Sequence, residues 1–458
     1  MKARITWLNL LAAAGFALAL GVAIVPVAFA QYQQPPSTSA SQTPDAQPKS
    51  RKERAAAAAA AEAEAPKADY SKEFRKLAAP VQTAVNEKKW ADVLAALPAL
   101  EAIPSPTHDD LKAIATWRLQ ATQGVGDQDA FAAAIEKFLA DGYAEPQNVG
   151  AMHRQLAAYY SGKKDSAKTL EHFQAFVDGT PDVQGDELET LGRLHLQAGH
   201  NAEGCQYLGK AIDQAKGKNE KPKEMWYQLR DQCFLKMKDD AGRLANLEAL
   251  VAEHPNKEYY SRIVALYQTQ SKDDRTVMLN AYRLAVSDPQ GGLENVGAYL
   301  NYADTALVAG SPGEAQRALE RGMKEGIVPS AGTNQQLVAQ AKAAVASDKK
   351  SLPGELAAAA KNPKGEVDVK IGLGFYSTGD YAQAAEAIKR GIGKGGVARL
   401  DDANLLLGAS LLEAGKADEA RAAFQAAKAA APAGSPLGQI ADLWLARAAR
   451  GSSAPPAG

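Results

Sequence analysis

The sequence predicts an all-α protein, a right-handed α-solenoid of about nine or ten helix pairs behind a disordered N-terminal tether. Aromatic residues make up only 7% of a chain rich in alanine, which favours close helix packing over sheets. Segments of about 14 residues with helical apolar periodicity recur between positions 70 and 450 and are separated by short turns. Two segments near the C-terminal end also repeat at a fixed spacing.

The first 30 residues are typical of a secretory signal peptide. Lys2 and Arg4 give the start a positive charge, residues 5–30 contain no charged side chain, and the stretch ends in AFA, an A-x-A cleavage pattern. We expect cleavage between Ala30 and Gln31 and export to the bacterial periplasm. The alternative is an uncleaved inner-membrane anchor that faces the periplasm, because 26 uncharged residues can span a bilayer. Membrane contact is expected only in that case.

Low-complexity segments flank the repeats. Residues 31–68 are predicted to be a disordered linker, because they combine a Pro-, Ser-, Thr- and Gln-rich part with RKERAAAAAAAEAEA, which lacks an apolar stripe. The tail GSSAPPAG, residues 451–458, is predicted to be disordered as well. With 52 basic and 53 acidic residues, the net charge of −1 gives no electrostatic reason to expect a nucleic-acid partner.

The internal repeat lies between residues 371 and 432. IGLGFYSTGDYAQAAEAIKRGI, from Ile371, aligns with LGASLLEAGKADEARAAFQAAKAAAP, from Leu407. Gly372 matches Gly408 and Gly379 matches Gly415, each 36 residues later. We expect the first glycine of each copy to lie where a neighbouring helix approaches closely, and the second to end a helix with a positive φ.

The segment VDVKIGLGFYSTG invites a second interpretation, a strand that leads into a phosphate-binding glycine loop. That loop needs a third glycine three residues after the second, but Phe375, Tyr376 and Ser377 follow Gly374. The aligned copy DDANLLLGASLLEAG also has the pattern of an apolar helix face. The segment is therefore predicted to be a helix.

These repeats resemble the tetratricopeptide repeat (TPR) family, here an exported bacterial member. The resemblance is carried by the copy that contains Leu407-Gly408, Leu411, Gly415, Ala420, Phe424, Ala427 and Pro432. Residues 69–450 would form the solenoid, and the clearest repeats are 184–255, 256–289, 294–329, 365–398 and 400–432. A degenerate two-helix unit is expected at about 330–362. The segment from Pro436 is expected to close the stack, with Arg447 and Arg450 facing outward.

The resemblance implies that partner proteins bind to a concave face made by the first helix of each pair. The residues that would line this face, if the register is correct, are Asp186, Glu189, Arg193, Gln197, Gln228, Gln232, Lys236, Glu258, Ser261, Gln268, Glu366, Tyr376 and Ser377. The Lys/Asn clamp with which some family members hold a C-terminal carboxylate is not evident.

Motifs for catalysis are missing from the sequence. There is no HExxH and no G-x-S-x-G, and no two histidines have the i, i+4 spacing of a helical zinc site. The carboxylate pairs Asp109-Asp110, Asp239-Asp240 and Asp401-Asp402 precede or open predicted helices, where they cap free amides. We expect neither enzyme activity nor a cofactor or metal.

Cys205 and Cys233 are the two cysteines, 28 residues apart on helices that should be neighbours. Two interpretations stay open for an exported protein: a disulfide, or two buried thiols that serve as small apolar residues.

The expected function is a non-enzymatic periplasmic adaptor that binds envelope proteins. One candidate setting is a TonB-type transport system. The segment KEYYSRIVALYQTQ, from Lys257, resembles exported repeat proteins that occur in such systems. The alternative is a module for cell-wall glycan or a small ligand, which would need an aromatic-lined groove.

Overall fold

The computed structural model describes residues 68–271 and 274–450. These residues form 20 α-helices and no strand, which confirms the predicted all-α fold for the described part of the chain. The predicted signal peptide, the linker up to residue 67 and the tail 451–458 lie outside the described residues. No helix within the described ranges has both the length and the apolar character that a membrane crossing requires.

The chain divides into two compact units, at residues 198 and 199. In the first unit each helix packs against the next. Its helices are α1 (Lys72–Asn86), α2 (Trp90–Glu101), α3 (His108–Val125), α4 (Gln128–Ala140), α5 (Pro146–Gly162), α6 (Ser166–Asp178) and α7 (Gly185–Gln197).

The second unit contains the remaining helices. They are α8 (Asn201–Gly217), α9 (Glu224–Met237), α10 (Asp240–Glu253), α11 (Lys257–Ser271), α12 (Arg275–Ser287), α13 (Val296–Val308), α14 (Pro312–Lys324), α15 (Thr333–Lys361), α16 (Gly365–Thr378), α17 (Tyr381–Lys394), α18 (Leu400–Glu413), α19 (Ala417–Ala430) and α20 (Pro436–Ala449). Among them α11 and α12, α13 and α14, α16 and α17, and α18 and α19 are successive helices joined by short connections.

Aspartates fix where many second helices of a pair begin. The side chain at the N-cap accepts a hydrogen bond from a backbone N–H in the first turn, which would otherwise have no partner. The aspartates in this role are Asp127, Asp165, Asp239, Asp274 and Asp380. A short turn and a strong cap therefore return the chain along the preceding helix.

The paired glycines lie where the sequence predicted. A Cβ at Gly372 would come within 2.4 Å of Ile388, and one at Gly408 within 2.3 Å of Phe424. Gly379 and Gly415 follow the ends of α16 and α18 with φ of 84° and 77°. Close helix approach and a left-handed turn therefore explain the repeat.

The segment around 330–362 differs from its prediction. It is a single helix, α15, and not a helix pair. Pro353 lies inside this helix, although proline removes one backbone hydrogen bond. Residues with a high helix propensity lie on both sides of Pro353, and residues 333–353 contain no glycine. The helix therefore continues through the proline.

Helix α20 also differs from its prediction, because Arg447 is half-buried and Arg450, although exposed, is bonded to neighbouring helices. Arg447 donates to the carbonyl of Ser287, and Arg450 donates to the carbonyl of Ala252 at 3.0 Å and pairs with Asp288 at 2.5 Å. Helix α20 folds back onto α10 and α12, whose last carbonyls accept bonds from cations. Its Trp444 ring stacks on Phe424, with centroids 5.1 Å apart.

Candidate functional site

The predicted site residues fall into three sets that have different surroundings. The α7 set lies in the first unit, where Asp186 and Gln197 are exposed and Glu189 pairs with Arg193 at 2.7 Å. The second set lies on α9 and α11. The third, Glu366, Tyr376 and Ser377, lies on α16. Four members of the second set, Gln228, Gln232, Lys236 and Gln268, are exposed.

The prediction that Tyr376 and Ser377 line an open face is wrong. Their relative exposures are 5% and 0%, because α14 packs against α16. The N–H of Gly313 donates to Ser377 Oγ at 2.8 Å, and Arg317 donates to the Ser377 carbonyl at 2.7 Å. Glu366 is half-buried and accepts a bond from the N–H of Ala398. The face that these residues were expected to offer to a partner is covered by the chain itself.

A buried ion pair lies behind this covered face. Arg283 on α12 donates twice to Glu314 on α14, at 2.8 and 2.7 Å, and both side chains are at least 97% buried. Tyr302 and Ser311 donate to the same carboxylate, and the Tyr376 ring lies 5.3 Å from the guanidinium. Burial alone would raise the pKa of Glu314, but the charge of Arg283 holds it below its usual value.

Helix α18 is covered in the same way. Nearly all of its residues from Asp401 to Leu412 are buried. It contacts α12, where Asn280 donates to Asp402 at 2.7 Å. Among the first helices of the last two pairs, α16 therefore packs on α14 and α18 packs on α12. We call these two contacts together the closed face.

The open surface of the second unit runs along α9 and α11. Gln228, Gln232 and Lys236 are exposed at i, i+4 and i+8, so they form one stripe of about 12 Å along α9. Leu235 is 54% exposed beside this stripe, and Gln268 is exposed on α11. We call these five residues the open face. It offers amide donors and acceptors, one cation and one apolar side chain.

A hydrogen-bonded layer holds α9 and α11 in place beneath the open face. Gln228 donates to the Tyr259 hydroxyl at 2.7 Å, and Tyr259 donates to Glu224. Burial, together with the bond to Glu224, raises the pKa of Tyr259 to about 12, so it stays protonated and can donate. These bonds fix the spacing between the two helices.

Asp231 is the centre of a second group of contacts. It is 3% exposed and accepts bonds from Arg243 of α10 at 3.1 Å and from Arg262 of α11 at 3.3 Å. Arg262 also pairs with Glu258, one of the predicted site residues. Ser261, another predicted residue, accepts a bond from the backbone N–H of Glu294. Glu258 and Ser261 are therefore bonded to other groups of the chain and are not counted among the residues available to a partner.

Sequence reasoning missed Asp231, Tyr259, Arg262 and Leu235. The i, i+4 spacing of Glu258 and Arg262 is a signal that could have found their ion pair. Leu235 had no such signal, because an apolar residue on an amphipathic helix is normally assigned to the core.

Cys205 on α8 and Cys233 on α9 are both buried and are free thiols in the structure. Contact with Cys233 and burial raise the pKa of the Cys205 thiol. Since the two thiols are neighbours, the disulfide stays a prediction. Labelling of the unfolded, unreduced protein would decide between a bridge and two free thiols.

The aromatic residues near the open face offer no stacking surface for a sugar. Trp226, Tyr227, Tyr259, Tyr260 and Tyr267 are all at most 5% exposed. In the described ranges, no group of three or more His, Cys, Asp or Glu side chains could hold a metal ion.

Solved structures that resemble this chain are tetratricopeptide-repeat proteins. One, from Parabacteroides merdae, is 13% identical with a TM-score of 0.26, and the match covers 65% of this chain and 99% of that one. The TPR2AB domain of yeast Sti1, in a complex with pHSP90, is 9% identical with a TM-score of 0.22 over 66% and 99%. The P58(IPK) TPR domain is 14% identical with a TM-score of 0.21 over 82% and 97%.

No protein-family model and no curated protein matches the chain. The helix pairs of the chain have the helix–turn–helix form of tetratricopeptide repeats.

Proposed function

We propose that this chain is a non-enzymatic scaffold that binds a protein partner through the open face on α9 and α11. The observation that supports this most is that exposed side chains without hydrogen-bond partners among the described residues lie above the hydrogen-bonded layer that joins α9 and α11. Gln232, Lys236 and Gln268 have no side-chain hydrogen bond or ion pair to another described residue. Amide side chains can both donate to and accept from a peptide backbone, so this surface suits an extended or helical segment.

The energetic centre of the proposed interface is Leu235. It is the apolar side chain of the open face, and a partner that covers it would remove apolar surface from water. Lys236 adds a positive charge beside it, which favours a partner segment with an acidic residue. Since α9 and α11 are held by buried bonds, the surface would lose little conformational freedom on binding.

Two matched variants test the proposal. Leu235→Glu places a charge on the open face, and Val308→Glu places the same charge at a site on α13 that is 55% exposed, against 54% for Leu235. Each variant would replace the chromosomal copy, and cells would be cross-linked before purification and mass spectrometry. We expect Leu235→Glu to lose a reproducible partner that Val308→Glu retains. Equal recovery with both variants would contradict the choice of surface.

The periplasm is the location that we propose. The support is the N-terminal pattern of Lys2 and Arg4, the uncharged residues 5–30 and the AFA motif. An envelope complex is the corresponding class of partner, and a TonB-type transport system is one setting. Fractionation of cells with N-terminal sequencing of the mature protein tests this: a start at Gln31 in the periplasmic fraction is expected, and an intact Met1 would contradict cleavage.

A further inference from the structure

A pair of histidines in the first unit makes a contact that no sequence motif indicated. His153 of α5 and His172 of α6 face each other, with their Nδ1 atoms 3.0 Å apart. His172 is buried, while His153 is half-buried and within reach of solvent. The pair lies far in the chain from the open face and has no part in the proposed function.

The surroundings of His172 fix which of its nitrogens is available. Its Nε2 faces the carboxylate of Glu136 at 3.8 Å, and its ring stacks on Tyr160 with an interplanar angle of 12°. Lys168 pairs with the same carboxylate at 3.0 Å on that side. The negative charge of Glu136 favours a proton on the nearby Nε2, and the Nδ1 lone pair of His172 then faces His153.

The distance between the two Nδ1 atoms fits one metal ion. Two nitrogen ligands at about 2.1 Å from an ion and at right angles to each other are ~3.0 Å apart. Right-angled nitrogen pairs are typical of square-planar or octahedral Ni²⁺ and Cu²⁺. We propose that His153 and His172 bind a divalent transition-metal ion of this kind through their Nδ1 atoms.

The protonation of the pair is compatible with binding. In the metal-free protein one Nδ1 must carry the proton of the contact between the rings, and the negative charge of Glu136, 3.8 Å from Nε2 of His172, favours a proton on that nitrogen and so leaves the shared proton to His153. Binding then requires only that this proton move from Nδ1 to Nε2 of His153. Burial lowers the pKa of His153, which favours the neutral ring that a metal needs.

Further ligands would come mainly from water. Glu171 is exposed, lies next to His172 in the chain and places its negative charge near His153. A carboxylate there attracts a cation. A site with two protein nitrogens is a weak, exchangeable site and not a structural one.

Isothermal titration of the untagged full-length protein with Ni²⁺ tests the site. We expect one Ni²⁺ per chain, and we expect His153→Gln to weaken binding at least tenfold. His108→Gln is the matched control, since His108 is exposed in the same unit, and it should bind as the wild type does. Because protons compete for the same nitrogens, binding should also weaken as the pH is lowered through the range in which histidine titrates.

His172→Gln provides a second variant, and circular dichroism checks that each variant is folded. The absence of Ni²⁺ binding to the wild type would overturn the proposal. Wild-type affinity in folded His153→Gln would overturn it too, because the bound ion would then be held elsewhere on the chain.

Discussion

The first helices of two regions in the second unit have the same place in their repeats but different surroundings. On α9 and α11 the outward side chains meet water, whereas α16 and α18 pack on α12 and α14. Small residues allow the second arrangement: a Cβ at Gly313 would lie 1.8 Å from the carbonyl oxygen of Ser377. A repeat pattern therefore predicts which helices could form a groove, but not whether the chain fills that groove itself.

The largest expected effect concerns the buried ion pair of the closed face. Glu314→Gln would leave the Arg283 guanidinium buried without a counter-charge, and we expect a loss of about 3–5 kcal/mol in the free energy of unfolding. Glu258→Gln removes a partner of Arg262 on the exposed side of α11, where a loss of less than about 1 kcal/mol is expected. Chemical denaturation of both variants measures the difference. Equal losses would mean that the closed face does not depend on this pair.

A pH effect is expected where α10 meets α20. Burial raises the pKa of Glu248 from its usual 4.5 to about 7, while its bond to Tyr267 opposes the shift and Asp442 adds to it. The folded state therefore holds this proton more tightly than the unfolded state does. Stability should fall as the pH rises from about 4.5 to about 7, by about 3 kcal/mol for this group alone.

Glu248→Gln isolates that effect, because glutamine does not ionise. Denaturation across this pH range should show a smaller decline in the variant than in the wild type. The same slope in both proteins would rule out Glu248 as its source.

Gly313→Ala tests the close approach of α14 and α16. The added Cβ would collide with a backbone oxygen that cannot rotate away, so we expect a loss of about 2 kcal/mol. Gly354→Ala on α15 is the matched control, because nothing lies within 4 Å of its Cβ position. Helix propensity predicts that this control is neutral or stabilising by about 0.5–1 kcal/mol. A stable Gly313→Ala protein would show that the closed face can separate.

The smallest expected effect is on the open face. Leu235→Glu should change the free energy of unfolding by less than about 0.5 kcal/mol, because the side chain contributes little to the core. Thermal unfolding compared with the wild type checks this. A larger loss would mean that Leu235 supports the fold, and the loss of a partner in that variant would then need another explanation.

Local patterns were enough to predict most of the helix pairs. An aspartate at an N-cap acts within the first turn of its own helix, and the 36-residue spacing from Gly372 to Gly408 can be read from the sequence directly. The single helix α15 was missed because the spacing of the neighbouring repeats leaves room for one more unit and so predicts a helix pair, whereas strong helix formers on both sides of Pro353 let one helix continue.

Non-local contacts were beyond sequence reasoning. Arg450 binds a carbonyl 198 residues away, and Asn280 binds Asp402 across 122 residues. Such contacts depend on small rotations that accumulate from unit to unit, and no short motif records them. The repeat pattern predicts an open position for all five residues Tyr376, Ser377, Gln228, Gln232 and Lys236. Distant parts of the chain cover the first two, whereas the last three stay exposed.

Site-specific photo-cross-linking in cells tests whether the open face binds a partner protein. A photoreactive residue would replace Gln232 on the open face or, as the control, Lys350, which is exposed on α15. We expect a discrete adduct with a partner protein from position 232 and none from position 350. An adduct from position 350 alone, or the same adducts from both, would contradict the assignment of partner binding to α9 and α11.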